Sequence, residues 1–220
     1  MMPSTRENLL HGLYAITPET ADSALLARKV AAAVRGGATV VQYRNKRADA
    51  NVARHQAQLL REITHASGSL LVINDNIELA LLVKADAVHL GKDDGDILDS
   101  VALCHRQNLL VGVSCYNELA RAAAAIAAGA DYVAFGSFFA SPTKPAATRA
   151  EPALIRTAKS MFEVPIVGIG GITISNGQQL IACGVDMLAV ITALFDAEDV
   201  ASRAREFTKL FEYKTDVHQK

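Results

Sequence analysis

The sequence of 220 residues contains no tryptophan, 5% aromatic residues and three cysteines. Because half of the residues are nevertheless hydrophobic, the core must consist mainly of Ala, Val, Leu and Ile. Branched aliphatic side chains fill the interior of (β/α)₈ barrels, so this composition is compatible with that fold. Cys104, Cys115 and Cys183 are widely spaced and odd in number, which favours a reduced, cytoplasmic protein over a disulfide framework.

The chain also lacks an excess of positive charge and a long apolar run. Lys and Arg number 22 against 23 Asp and Glu, and this balance argues against a nucleic-acid partner. No apolar run reaches the roughly 20 residues that cross a bilayer, and residues 1–11 lack the apolar centre of a secretory signal. We therefore expect one soluble domain over residues 1–220, with polar, frayed ends at about 1–10 and 212–220, and no membrane partner.

Eight short, mostly apolar runs alternate with longer helical patterns. The predicted strands are residues 13–17, 39–44, 70–73, 87–90, 110–113, 132–135, 166–169 and 187–191. Helical patterns between them include residues 24–35, 51–65, 117–128 and 151–161. Such an alternation is typical of a closed barrel or of an open, doubly wound sheet.

Two features favour the closed form. The segments "GGATVVQ", "AGADYVAFG" and "CGVDMLAVI" resemble one repeated unit, in which Gly37, Gly129 and Gly184 supply a left-handed helix cap. Polar residues also follow all eight strands, whereas an open sheet concentrates its site at one switch point. The sequence therefore predicts the α/β class and a (β/α)₈ TIM barrel, with its active site at the C-terminal ends of the strands.

The second strand ends in residues suited to an anion. Side chains alternate along a strand, so Gln42, Arg44 and Lys46 are expected to point into the same space. Arginine binds phosphate oxygens in a fork and lysine acts as a point charge. The alternative is a solvated loop in which both cations face outward.

Carboxylates follow the third and fourth strands. Asp75 and a second aspartate one strand along are oxygen ligands of the kind that Mg²⁺ prefers, although the Asn74–Asp75 pair is equally compatible with a helix cap. Spacing alone does not distinguish Asp93, Asp94 and Asp96 as the second ligand.

The remaining strand ends supply hydroxyls, a lysine and glycines. Ser114 has no visible His–Asp pair to activate it, which favours a hydrogen-bonding role over a nucleophilic one, and His89 is interpreted as an orienting or core residue. The long connection of residues 136–149 carries Lys144 and resembles a lid. Glycines after the seventh strand, with the end of the eighth, match the recurrent phosphate site of this fold.

The motifs "QYRNK", "IND", "HLG-x-x-D", "SPTK" and "GIGGIT", in this order over residues 13–193, resemble the thiamine-phosphate synthase family. The resemblance implies that Asp75 and Asp94 bind Mg²⁺. It implies a pyrimidine diphosphate site at Gln42, Tyr43, Arg44, Asn45, Lys46, Asn74, Ser114 and Lys144. It also implies a thiazole phosphate site at Ser141, Pro142, Thr143, Gly171, Ile191 and Thr192. Lys92 departs from the family, which usually has glutamine after the glycine of "HLG".

The resemblance also implies a reaction. Diphosphate leaves the pyrimidine substrate, and the thiazole nitrogen attacks the resulting cation to give thiamine phosphate. No side-chain nucleophile is needed, and Arg44, Lys46, Ser114 and Lys144 become the expected catalytic residues. The expected partners are these small molecules, with a homo-oligomer compatible with the sequence.

Two other functions are compatible with the same barrel. A thiazole tautomerase-like isomerase would share the thiazole phosphate pocket, but it would not need the diphosphate and metal residues that this chain retains. A non-catalytic sensor of phosphate ligands would need a partner-binding module, and none is visible. Fold alone does not decide among the three, since this barrel supports many chemistries.

Overall fold

The computed structural model describes residues 6–92, 94–140 and 149–212. Eight parallel strands form a closed barrel in sequence order, with β8 pairing back to β1, so the predicted (β/α)₈ barrel is confirmed. The strands are β1 (Gly12–Ile16), β2 (Ala38–Tyr43), β3 (Leu70–Asn74), β4 (Ala87–Leu90), β5 (Leu110–Tyr116), β6 (Tyr132–Phe135), β7 (Ile166–Ile169) and β8 (Met187–Val190).

Helices cover the outside of the barrel, after a 3-10 turn at Arg6–Leu9. They are α1 (Ser23–Arg35), α2 (Ala50–Ser67), α3 (Ile77–Leu82), α4 (Ile97–Arg106), α5 (Leu119–Ala127), α6 (Ala153–Met161), α7 (Ile174–Ala182), α8 (Thr192–Phe195) and α9 (Val200–Glu212). Over the described ranges, none of them combines the length and the apolar character that crossing a membrane requires.

Alternation along the strands divides the buried residues into two layers. One set of side chains packs between the strands and the helices, as Val41, Val113 and Leu188 do. The other set fills the barrel interior, and it includes Tyr14 and Tyr132 among smaller aliphatic residues. Since polar positions such as Gln42 and Ser114 keep the inward phase at the upper ends of their strands, alternation directs them into the mouth of the barrel.

The three predicted glycine caps have the expected backbone conformation. Gly37, Gly129 and Gly184 have φ values of 101°, 99° and 105°, and each lies just beyond the end of a helix. Such positive φ values are accessible to glycine at little cost, which explains why the repeated units share this residue.

Candidate active site

A cavity of about 560 Å³ opens at the C-terminal ends of the strands. Its wall includes Gln42, Arg44, Asn74 and Ser114, so the structure brings together four residues that the sequence placed at this site. They come from β2, the residue following it, β3 and β5, which are distant in sequence and meet only because the barrel closes.

Backbone and side-chain contacts hold the β2 loop. The Thr17 hydroxyl accepts a hydrogen bond from the Arg44 backbone at 2.9 Å, and the Arg44 guanidinium pairs with Glu19 at 3.0 Å. Tyr43 lies on the other side of β2, where its hydroxyl donates to Gln56 of α2 at 2.9 Å. Asn45 also donates to Gln56, at 3.1 Å, so Tyr43 and Asn45 support the loop from outside the cavity wall.

Two carboxylates meet beside this loop. Asp75 has a φ of 63°, an uncommon conformation for a residue with a side chain, and its carboxylate lies 2.7 Å from the Lys46 ammonium. Asp94 is hydrogen-bonded both to Asp75 and to the Gly91 backbone, at 2.5 Å for the latter. Helix capping, the alternative role for the Asn74–Asp75 pair, is performed instead by Asn76 at the start of α3.

The pKa values of the two carboxyl groups are shifted in opposite directions. Burial raises the pKa of Asp94, and the neighbouring Asp75 charge raises it further. Burial acts in the same direction on Asp75, but its hydrogen bonds with Lys46 and Asp94 outweigh burial and lower its pKa. Two carboxylates held this closely repel each other when both are ionised, and a shared proton or a bound cation relieves that repulsion.

The donor set fits Mg²⁺. This ion typically takes one or two carboxylates and completes its coordination with water and substrate phosphate. Asp96 is occupied as the N-cap of α4, accepting from Asp99 at 3.0 Å, and Asp93 lies outside the described residues. Among the described residues no group of three or more His, Cys, Asp or Glu side chains is close enough to hold a metal, so this pair would leave most positions to other ligands.

A second, smaller cavity of about 230 Å³ lies at the ends of β7 and β8. Gly171, Ile191 and Thr192, which the resemblance assigned to a thiazole phosphate site, line this cavity. Gly171 has a φ of 63°, and a β-carbon there would lie 2.7 Å from the Phe139 carbonyl oxygen. Only glycine satisfies both constraints, so glycine at this position lets the β7 loop pack closely against the chain that follows β6.

Ser141, Pro142, Thr143 and Lys144 lie outside the described residues, as does most of the predicted lid of residues 136–149. Their predicted roles therefore stay predictions.

Sequence reasoning missed a buried polar network beneath the larger cavity. The Gln42 side-chain amide donates to the Tyr14 hydroxyl at 2.8 Å, and the Tyr14 and Tyr132 hydroxyls are 2.9 Å apart. His89 Nδ1 lies 3.2 Å from the Tyr132 hydroxyl, and His89 Nε2 lies 2.8 Å from the Ser114 hydroxyl. Inward alternation of a tyrosine on β1, another on β6 and a histidine on β4 was the available signal.

Burial determines the protonation of this network. It raises the pKa values of Tyr14 and Tyr132 far above the ordinary tyrosine range, so both phenols stay protonated. It lowers the pKa of His89 to about 4, against a smaller opposing effect of the Asp75 charge. His89 is therefore a neutral imidazole at neutral pH, with one nitrogen that donates and one that accepts.

Comparison with known proteins identifies the family. Residues 13–194 match the family model described as thiamine monophosphate synthase. A thiamine-phosphate synthase of Aromatoleum aromaticum is 45% identical over 96% of this chain and 100% of that protein. One from Thiobacillus denitrificans is 48% identical over 91% of this chain and 94% of that protein.

A solved structure agrees with these relatives. Thiamine phosphate pyrophosphorylase from Pyrococcus furiosus superposes with a TM-score of 0.85 at 33% identity, covering 96% of this chain and 99% of that one. The chain belongs to the thiamine monophosphate synthase family of transferases.

Proposed function

We propose that this chain joins two phosphorylated heterocycles to make thiamine phosphate, a step of thiamine diphosphate biosynthesis. One substrate is an aminopyrimidine with a diphosphooxymethyl group, and the other is a methylthiazole with a phosphoethyl group, carboxylated or not. The observation that carries this proposal is the adjacency of two cavities that share Ile169, Gly170, Ala189 and Ile191 in their walls. One has cations and paired carboxylates beside it, and the other is lined by glycine backbone.

The larger cavity suits the pyrimidine diphosphate. Arg44 reaches its wall, and Lys46 stands beside it on Asp75. When the carbon–oxygen bond breaks, its electron pair leaves with the diphosphate, and preorganised positive charge stabilises the transition state most. We assign that role to Arg44 and Lys46, with Lys144 and the Ser114 hydroxyl as further donors.

Asp75 and Asp94 are the residues that would hold Mg²⁺. The ion would supply charge neutralisation on the phosphate oxygens when bound. In the absence of the ion, Lys46 offsets the charge of Asp75. This contact is our reason for including Lys46 in the site, although its side chain is more than half exposed.

The smaller cavity suits the phosphate of the thiazole substrate, as the positions of Gly171, Ile191 and Thr192 support. The thiazole nitrogen would use its lone pair to form the new bond to the pyrimidine methylene carbon. Tyr43 and Asn45 would act by supporting the loop that carries Arg44 and Lys46. The three cysteines are free and buried, which supports a reducing, cytoplasmic location.

The test is a coupling assay with purified protein, both substrates and Mg²⁺, in which thiamine phosphate is detected by the fluorescence of its oxidised form. We expect product with Mg²⁺, none with EDTA, and full recovery when Mg²⁺ is restored. Full activity in EDTA would exclude the metal role. Absence of product although thiazole phosphate binds would favour the isomerase or the sensor.

Replacing Lys144 tests the segment outside the described residues. We expect Lys144→Ala to slow turnover by roughly 100-fold, as loss of one transition-state donor does, while thermal unfolding stays unchanged. Lys209→Ala, an exposed lysine on α9, is the matched control and should keep the native rate. A native rate in Lys144→Ala would show that this lysine has no role in catalysis.

A further inference from the structure

The buried network runs from Gln42 to Ser114 and ends at the cavity. Its members lie on β2, β1, β6, β4 and β5, in the order in which the hydrogen bonds connect them. Tyr14 and Tyr132 are at most 1% exposed and His89 is 8% exposed, whereas Ser114 is only half-buried and lines the cavity. Solvent therefore reaches one end of the network more easily than its centre.

Counting protons gives this network a direction. The Gln42 amide nitrogen can only donate, so the Tyr14 oxygen accepts from it and the Tyr14 proton is left for the Tyr132 oxygen. Tyr132 then has its own proton to donate, and the acceptor within reach is Nδ1 of His89. The opposite order would leave the Tyr14 proton without an acceptor in the network, and an unpaired buried hydroxyl is costly.

The direction of the hydrogen bonds determines the tautomer of His89 and, through it, whether the Ser114 hydroxyl donates or accepts. Because Nδ1 must accept the Tyr132 proton, the imidazole can carry its own proton only on Nε2, which lies 2.8 Å from the Ser114 oxygen. Ser114 therefore accepts from His89 and must send its own proton elsewhere. No other partner of this hydroxyl occurs among the described residues, and the side chain lines the cavity.

We propose that Tyr14, Tyr132 and His89 are positioning residues, which hold His89 as the Nε2–H tautomer and thereby present the Ser114 hydroxyl proton to the anionic leaving group. The choice of leaving group rests on the proposed function, whereas the tautomer and the direction of the network do not.

With the opposite tautomer of His89, the Ser114 hydroxyl would donate to His89 instead of accepting from it. If Nε2 accepted, the Ser114 proton would point toward His89, and oxygen lone pairs would face the negative oxygens of the ligand. Anions are stabilised by donors already aimed at them, so this inversion would remove a favourable contact and add a repulsive one. Arg121 holds the backbone of the same serine by donating to the Ser114 carbonyl at 2.7 Å, and His89 is the described partner of its hydroxyl.

The first test measures the tautomer directly. In protein labelled with ¹⁵N in histidine, the two ring nitrogens of His89 are assigned by comparison with His89→Gln, without substrate or Mg²⁺. We expect a protonated Nε2 and an unprotonated Nδ1 in the native protein, and a shift toward the other tautomer in Tyr132→Phe. A native Nδ1–H tautomer would overturn the proposal, whether or not the protein makes thiamine phosphate.

The second test asks whether the network acts through Ser114. We expect Ser114→Ala to lower kcat about 100-fold and Tyr132→Phe to lower it about ten-fold, with KM little changed. In the Ser114→Ala background, Tyr132→Phe should cost less than about two-fold, because the group that it orients is already gone. A purely structural role for Tyr132 would give the same ten-fold loss in both backgrounds, and that result would overturn the proposal.

Controls separate this inference from the proposed function. His105→Gln replaces a histidine at the opposite end of the barrel, where Nε2 contacts Asp131 at 3.0 Å, and should keep the native kcat. If the native protein forms no thiamine phosphate, the proposed function fails while the tautomer measurement still decides on the network. If product forms but the two substitutions act additively, the function stands and the network loses its role.

Discussion

At the residue scale, one glycine makes room for the buried network. Gly112 of β5 pairs with Tyr132 of β6, and a β-carbon at Gly112 would overlap the tyrosine ring. The inward-facing ring therefore occupies the space that a side chain on the neighbouring strand would need. A large residue opposite a glycine is how the barrel fits a phenol among aliphatic side chains.

Gly112→Ala should therefore displace Tyr132. We expect a loss of about 1–3 kcal/mol in the free energy of unfolding, measured in urea, because overpacking a close-packed interior forces neighbours to move. Turnover should fall as well, since the Tyr132 hydroxyl moves away from His89. Gly68→Ala is the comparison: it has a φ of 72° but nothing within 4 Å, so it should cost some stability and leave turnover unchanged. Equal effects of both substitutions on turnover would contradict this account.

His89 makes stability depend on pH. Its pKa is 6.5 in an unfolded chain and about 4 in the folded protein, so between these values the unfolded state binds the extra proton. The stabilisation is therefore complete above pH 6.5 and is lost as the pH falls toward 4, by up to about 3 kcal/mol. Urea unfolding of the native protein and of His89→Gln between pH 7 and pH 4.5 measures the difference. If the free energies of unfolding of the two proteins changed with pH in parallel, the pKa of His89 would not be lowered by folding.

Asp75 is proposed as a Mg²⁺ ligand, whereas Asp96 is the N-cap of α4. Asp75→Asn should raise the Mg²⁺ concentration needed for half-maximal turnover by at least ten-fold, because a neutral amide is a poorer ligand for a hard cation. Asp96→Asn should leave that concentration unchanged, because Asp96 caps α4 and asparagine is an equally good cap. The Mg²⁺ dependence of the initial rate decides, and an unchanged dependence in Asp75→Asn would remove this residue from the metal site.

At the scale of elements, three aspartates close the bottom of the barrel. Asp86, Asp131 and Asp186 each stand directly before an even-numbered strand. Each carboxylate accepts a backbone N–H from the first or second residue of the strand before that one, at 2.7–2.9 Å. Each also has a basic neighbour, which is arginine, histidine or lysine respectively. Strand ends that would otherwise leave backbone donors unpaired are satisfied by this repeat.

The most buried of these aspartates should matter most. The Asp86 side chain is 8% exposed and that of Asp186 is 24% exposed. Asp86→Ala leaves the Leu71 N–H and two arginines without their partner, so we expect a loss of about 2–4 kcal/mol in urea unfolding. Asp186→Ala should cost about 1–2 kcal/mol, because water reaches its partners more easily. Initial rates of both variants at low temperature should be native, and the reverse order of stability losses would refute the burial argument.

The sequence predicted the elements well where flanking residues define them. Strands β4, β6 and β7 have the predicted bounds, since turn residues end these short apolar runs. Strand β5 continues to Tyr116, beyond the predicted residue 113, through a register shift in its pairing with β6. That shift depends on a partner strand that the sequence of β5 does not reveal.

The site shows the same division. Alternation and strand order were enough to place Gln42, Arg44, Asn74 and Ser114 at one mouth. The hydrogen bond between Tyr14 and Tyr132 joins residues 118 positions apart, and no local pattern predicts such a contact. Tyr43 was assigned to substrate binding from its motif alone, whereas its alternation phase directs it to α2.

At the scale of the whole molecule, the two ends of the barrel have separate tasks. The C-terminal end holds both cavities and the paired carboxylates, and the opposite end holds Asp86, Asp131 and Asp186 with their basic neighbours. Substitutions at the lower end should therefore change the unfolding free energy without changing turnover. This separation is expected of the fold, in which loops at one end vary while the other end supports the barrel.

Ligand binding at the C-terminal end should raise the Tm of the whole barrel, including that of variants altered at the opposite end. From the proposed function we expect inorganic diphosphate and Mg²⁺ to bind the folded barrel and not the unfolded chain. Saturation at about 100 times Kd should then add about 2.7 kcal/mol to the free energy of unfolding and raise the Tm by roughly 5–10 °C. Thermal unfolding with each ligand alone should show a smaller increase than with both, because the ion and the phosphate oxygens complete each other's coordination. Asp75→Asn should lose the additional increase due to Mg²⁺. Asp86→Ala should start from a lower Tm and keep the full ligand-induced increase in Tm. If Asp86→Ala alone lost that increase, the anion would bind at the N-terminal end of the barrel, contrary to this prediction.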